Sequence, residues 1–151
     1  MLIHEAKINY SIIQLGEETP VLNDPTKIVA YLRSGIDEYS AQETVWVISL
    51  NRKNYPVGRT LISIGTATSA LAGAREIFRP AILQNATGII LAHSHPSGDP
   101  YPSAADVQLT RTMRAAGQTV DIPLVDHVIV GAVSADPQKR GYYSFREHGL
   151  I

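Results

Sequence analysis

Two histidines separated by one residue, His93 and His95, lie just upstream of Ser103 and Asp106, a pair spaced like the first turn of a helix. Residues two apart on an extended backbone point the same way, so both imidazoles can face one side and share a metal ion. Asp106, one turn inside the next helix, can swing its carboxylate back over the loop as a third ligand. Three nitrogen and oxygen ligands leave a fourth tetrahedral position for water, which distinguishes catalytic zinc sites from structural ones. Zinc in such a site lowers the pKa of water from about 15.7 to about 7 and makes hydroxide available at neutral pH. Each part alone has a plainer meaning. A lone His-x-His is seldom a metal site, Ser103 and Asp106 read as a helix cap and dipole partner, and Asp99 between Gly98 and Pro100 reads as a turn residue.

Composition narrows the chemistry further. The chain has no cysteine, so disulfides and the thiolate sites of zinc fingers and ribbons are excluded. Its 151 residues, 44% hydrophobic and 18% charged, suit one globular domain with a real core. Thirteen basic and fourteen acidic residues give a net charge of -1, which offers no electrostatic pointer to nucleic acid. The N-terminus carries acidic residues where a signal peptide needs an apolar stretch, and no apolar run nears the roughly 20 residues of a membrane span. A cytoplasmic location and no membrane partner are expected.

The elements that must hold these residues can be read from periodicity. Residues 3–13 alternate loosely and suggest an edge strand or an N-terminal arm. Asn23-Asp24-Pro25 reads as a helix start, Ile28, Val29, Tyr31 and Leu32 carry its spacing, and Ser34-Gly35 is expected to end it. Residues 44–50 are β-branched and aromatic and read as a central strand. A polar turn at 51–54 leads to a return strand over 59–64, closed by Gly65. Residues 74–85 place Ile77, Phe78, Ala81 and Ile82 on one helical face, with Pro80 warning of a kink or break. Residues 88–92 read as a strand buried on both faces, followed by a polar loop at 93–102. A helix over 103–116 starts on a near capping box, and strands over 123–130 and 142–145 follow, separated by a Pro-containing loop. The whole predicts one α/β domain, a mixed β-sheet flanked by helices in a three-layer-like arrangement. The site follows a buried strand, where open α/β sheets tend to place their ligands.

His-x-His, seven intervening residues, then Ser-x-x-Asp is similar to the JAMM motif at every specified position. The stretch HSHPSGDPYPSAAD resembles the HNHPSGDPxPSxxD segment of the RadC family, a bacterial branch of the JAB (MPN) domain. Upstream, AREIFRPAILQNATGIILA resembles that family's PREVF-type helix and the strand after it; downstream, LVDHVIVG and YYSFREHGL resemble its LDHLIVG strand and closing SFxExGL segment. Ser94 replaces the usual Asn, and Gly73-Ala74 replaces the His-Pro that usually precedes Arg-Glu. The resemblance implies a RadC-like JAB/JAMM domain over residues 42–151 with a JAB/MPN, cytidine-deaminase-like fold. Residues 1–41 would be a strand/helix extension packed on it, a short form lacking the N-terminal helix-hairpin-helix region of longer members.

The resemblance also implies roles. Zinc would be held by His93, His95 and Asp106. Glu43, in the Gln42-Glu43-Thr44-Val45 segment that corresponds to the family's Arg-Glu-x-Phe, would be the general acid/base, and Ser103 would donate to the developing oxyanion. Spacing alone would not choose Glu43 over Glu76, for which a structural ion pair is the plainer role. Asp126 and His127 read evenly as support for a ligand or as structural residues. Trp46 reads as core, and His4 and His148 carry no motif. The expected activity is zinc-dependent hydrolysis of a peptide or isopeptide bond in a peptide or protein substrate. The alternatives are a DNA-repair accessory of the RadC type, binding DNA or cutting it with a metal, and a zinc-stabilised scaffold without turnover. With no basic cluster to release counterions, association with DNA would be weak and abolished by moderate salt. A homodimer is compatible with the sequence, and a site of two histidines and one aspartate can also accept other divalent ions.

Overall fold

The computed structural model of the chain describes residues 19–65 and 73–151; the expected arm at 3–13 lies outside them. Helix α1 (Pro25–Glu38) begins at the expected cap, where the Asp24 carboxylate accepts a hydrogen bond from Thr26 N at 2.8 Å and Pro25 opens the first turn. It then runs past Ser34-Gly35 to Glu38, beyond the expected stop. Gly35 shares the buried face with Ile28, Leu32 and Ile36, and a Cβ there would come within 2.8 Å of the Trp46 ring. This glycine lets helix and sheet approach closely; it does not terminate the helix.

Strands β1 (Glu43–Leu50) and β2 (Pro56–Gly65) form an antiparallel hairpin, and the return strand starts at Pro56, earlier than expected. Asn51 shapes the turn, its Oδ1 accepting from Lys53 N and Tyr55 N. Helix α2 (Ala74–Leu83) continues through Pro80, whose missing N–H removes a single backbone bond while Ile77, Phe78 and Ala81 are buried on the sheet. Ile82, expected on that inner face, is instead 55% exposed. Strand β3 (Gly88–Ser94) is longer than its apolar run, and His93 belongs to it rather than to the loop: it sits between Val45 of β1 and Ile129 of β4 (Leu124–Val130). Helix α3 (Ala104–Val120) and β5 (Tyr142–Ser144) complete the fold. Gly117, near the end of α3, packs so tightly that a Cβ would stand 2.6 Å from Ile122 O.

The sheet order is β2-β1-β3-β4-β5, antiparallel throughout except for the parallel β3–β4 pair, which α3 connects. The expected mixed sheet with flanking helices is therefore present in three layers. On one face α1 packs against Trp46, Ile48, Leu50, Ile90, Ala92, Val128 and Val130. On the other, α2 and α3 cover Val45, Val47, Ile89, Leu91 and Leu124, with Ile77, Phe78 and Met113. Alternation along β3 sends Ile89, Leu91 and then His93 toward the α2/α3 side. The last of these positions emerges at the strand end, beside the start of α3.

Candidate metal centre

His95 lies one residue past β3, yet its backbone N still donates to Val130 O at 2.9 Å, so the chain stays extended alongside β4. His93 and His95 therefore project to the same side, and their Nε2 atoms stand 3.0 Å apart. The loop then turns sharply at Gly98, whose φ of 84° is left-handed. Gly98 N donates to His95 O at 2.9 Å, and Ala132 N donates to Gly98 O at 2.7 Å. Gly131 is required at this crossing, because a Cβ would lie 2.2 Å from Gly98 O. Asp99 is a turn residue, as expected, with Oδ1 accepting from Tyr101 N; its carbonyl also accepts from His95 Nδ1 at 2.9 Å.

Ser103 and Asp106 form a full capping box at the start of α3: Ser103 Oγ accepts from Asp106 N at 3.1 Å and Asp106 Oδ2 from Ser103 N at 2.8 Å. The same carboxylate faces both histidines, with Oδ1 at 3.1 Å from His93 Nε2 and Oδ2 at 3.4 Å from His95 Nε2. Capping and site-building thus coexist in one side chain. The cap uses a lone pair of Ser103 Oγ and leaves its O–H hydrogen without a protein acceptor among the described residues.

Glu43 opens β1 two residues before Val45, which pairs with His93, and so occupies the register position opposite His95. Its carboxylate offers an oxygen that lies, together with ligand atoms of His93 and His95, in a group all within 4.8 Å of one another. Ser94, the next residue along, points to the other side of β3. Its Oγ accepts from Thr44 N at 3.0 Å and donates to Gln42 O at 3.4 Å, tying the start of β1 to the end of β3 on either side of Glu43. Glu43 Oε1 is buried and has no hydrogen-bond partner among the described residues. Burial pushes the Glu43 carboxyl up from its ordinary value, the facing histidines only partly opposing it.

Electrostatics favour a cation here. Burial works to raise the Asp106 carboxyl, but the His93 and His95 rings and the Ser103 amide hold it well below the ordinary carboxylate range. Burial works to lower His95, but the Asp106 carboxylate and Asp99 carbonyl raise it above the ordinary imidazole value. The Asp99 carbonyl can only accept, so His95 donates from Nδ1 and a neutral ring turns a bare Nε2 toward Asp106. Lone pairs and a carboxylate crowded in this way require a proton or a metal ion between them. Separations of 3.0 Å between the two Nε2 atoms, 3.1 Å from His93 to Asp106 Oδ1 and 3.4 Å from His95 to Asp106 Oδ2 bring the rings and the carboxylate close together. They match the edge of about 3.3 Å for tetrahedral ligands about 2.05 Å from zinc. The residues present fit a zinc-type ion.

His127 contacts His93, with His127 Nε2 at 2.9 Å from His93 Nδ1. Its own Nδ1 is 2.6 Å from Thr110 Oγ1, a residue that sequence reasoning had no signal to single out. Asp126 is fully buried but faces away from the histidines, accepting from Ser144 Oγ and from Arg146 N and His127 N. Glu76 pairs with Arg75 at 3.0 Å, and Trp46 is 7% exposed in the α1-side core, both as expected. His148 stacks on Tyr143, and His4 lies outside the described residues. None of the described helices is long and apolar enough to cross a membrane.

Comparison with known proteins agrees with the geometry. The sequence model described as the RadC-like JAB domain matches residues 22–150, a stretch that includes α1 as well as the region from Gln42 onward. A UPF0758 protein of Thermotoga maritima is 40% identical over 130 residues, covering 86% of this chain and 54% of its own length. One from Desulfitobacterium hafniense is 40% identical over 132 residues, covering 87% and 55%, and one from Chlorobaculum parvum is 41% identical over 124 residues, covering 82% and 52%. The chain spans about half the length of these curated relatives. With its fold, its histidine pair and its match over nearly all described residues, the chain belongs to the RadC-like JAB domain family.

Proposed function

We propose that the chain is a zinc-dependent hydrolase of peptide or isopeptide bonds, with His93, His95 and Asp106 as ligands, Glu43 as general acid/base and Ser103 as oxyanion donor. One observation carries the reading: two imidazole Nε2 atoms and a carboxylate converge within 3.4 Å, beside a second carboxylate whose buried oxygen has no partner among the described residues. Bound zinc supplies a Lewis acid for the scissile carbonyl and lowers the pKa of water in the site. Glu43 takes a proton from the attacking water as its oxygen bonds to the carbonyl carbon. It returns that proton to the leaving nitrogen as the C–N bond breaks. A carboxyl raised by burial suits both halves of this shuttle, whereas Asp106, held strongly ionised, suits permanent ligation. The Ser103 O–H is available to the carbonyl oxygen as negative charge develops there.

Glu43 and Asp106 compete on paper for the third ligand position, since Glu43 also groups with both histidines. The closeness of the Asp106 carboxylate to both Nε2 atoms supports Asp106 as the third ligand. A cavity of about 470 Å³ beside the His95 loop favours a peptide over a phosphodiester: Pro100, Tyr101, Pro137, Tyr142 and Tyr143 line it with Asp99, Asp136 and Gln138, and among the described residues no lysine or arginine does. The test is incubation of the zinc-supplied protein with a proteome-derived peptide library and with lysine-branched isopeptides, read by mass spectrometry. Zinc-dependent new termini are expected from the wild type, with Glu43→Gln slower by about 10²–10⁴-fold. An intact library after incubation with zinc-loaded wild type contradicts the peptidase reading, and undiminished cleavage by Glu43→Gln contradicts the role of Glu43.

A further inference from the structure

We infer that His127 and Thr110 are positioning residues that fix the tautomer of His93 and join it to the start of α3 through an unbroken chain of donors. The inference rests on the reading of His93 as a ligand. The chain starts from the one polarity that is not in doubt, because a backbone carbonyl can only accept. Thr110 Oγ1 donates to Asp106 O at 2.9 Å, so its hydrogen is spent there. The contact between Thr110 Oγ1 and His127 Nδ1 at 2.6 Å then has His127 as donor. A neutral His127 protonated on Nδ1 has a bare Nε2, which accepts from His93 Nδ1 at 2.9 Å. His93 protonated on Nδ1 turns an unprotonated Nε2 toward His95 and Asp106, the state a metal ligand needs.

The environment of His127 supports the neutral ring. It is completely buried and stacked on Phe145, with ring centroids 4.6 Å apart and planes 11° from parallel. Asp126 belongs to the same device from behind. By accepting from Ser144 Oγ and Arg146 N it holds the segment that carries Phe145 against the imidazole. The path also closes on itself. His93 meets Asp106 directly through the carboxylate, and again through His127 and Thr110 at the Asp106 carbonyl. A ligand on β3 and a ligand on α3 are thereby set by one ring of contacts passing through β4. The partner of His93 Nδ1 is a neutral ring rather than a carboxylate, so it orients the ligand without adding negative charge beside it.

The test reads imidazole tautomers directly by nitrogen-15 NMR of the metal-free wild type at about pH 8, well above the ordinary imidazole value. Zinc affinity by chelator competition is measured beside it for wild type, Thr110→Val and Thr110→Ser, with the metal-free thermal midpoint of each. Both His93 and His127 are expected to carry the proton on Nδ1. Thr110→Val is expected to weaken zinc binding about 10–100-fold and to lower the metal-free midpoint, because the buried His127 N–H loses its acceptor, whereas Thr110→Ser is expected to stay within about threefold of wild type in affinity with a midpoint near wild type. A His127 protonated on Nε2, or Thr110→Val binding zinc as tightly as wild type, overturns the inference. Should the wild type bind no zinc, the functional reading fails. The tautomers still decide the inference: Nδ1 protons on both rings support it, and an Nε2 proton on His127 overturns it.

Discussion

Asp106 divides its carboxylate between two tasks, one oxygen shared by the Ser103 amide and His95, the other turned to His93. An Asn at this third helical position keeps a side-chain oxygen that can accept from Ser103 N, so Asp106→Asn is expected to keep the start of α3 while removing the charge a cation needs. Its metal-free thermal midpoint should stay near that of wild type, while its zinc affinity falls by more than the roughly 10–100-fold typical of losing a supporting residue. Calorimetry and chelator competition check the two halves; retained zinc affinity would remove Asp106 from the ligand set. His93, His95, Ser103 and Asp106 were legible because each belongs to a spacing that local geometry constrains. Glu43 entered only through resemblance, since no local pattern links the start of β1 to residues fifty positions on. Thr110 was illegible: a threonine one turn after Asp106 looks like any helix residue until β4 sets His127 against it.

Elements place these residues through a few close approaches. The crossing of Gly131 over Gly98 fixes the loop that holds Asp99 against His95, and a Cβ at Gly131 would collide with backbone at 2.2 Å. Gly131→Ala is therefore expected to cost about 1–3 kcal/mol of stability and to weaken zinc binding as well. A denaturant titration unchanged from wild type would contradict that packing. At the far end of the domain, Asp24→Ala is expected to cost about 0.5–2 kcal/mol through loss of the α1 cap. Hydrogen bonds from the Thr26 side chain and backbone hold the Asp24 carboxyl below its ordinary value. Its contribution is accordingly full above the unfolded value of about 3.9 and lost as pH falls through the lower folded value. The difference in stability between wild type and Asp24→Ala should thus be constant near neutrality and shrink only at acid pH. Strands β1, β3 and β4 were legible as apolar runs, and α1 and α3 by their caps. Gly35 and His93 misled at boundaries because a local signal has two meanings there. A glycine either ends a helix or admits Trp46, and a polar residue either begins a loop or ends a strand at a site.

At the scale of the molecule, a three-layer sandwich hides two apolar clusters and leaves the end of β3 as the place where polar groups gather. A metal bound only by the folded state adds RT ln(1 + [L]/Kd), about 2.7 kcal/mol at a free concentration 100 times Kd. For a chain of this size that is a rise of about 5–10 °C in Tm, reversed by chelator and missing in His95→Ala. The net charge of -1 gives no reason for tight association with nucleic acid. Any binding to duplex DNA is expected to vanish by about 200 mM salt, and salt-resistant binding in a filter assay would favour the DNA-metabolism alternative. In the proposed site His93, His95 and Asp106 hold one zinc with Glu43 beside it as base. The most direct test is elemental analysis of wild type, His95→Ala and Glu43→Gln, each purified after zinc is supplied. One zinc per chain in wild type and in Glu43→Gln, and almost none in His95→Ala, is the expected result; no zinc in wild type, or equal zinc in His95→Ala, would contradict it.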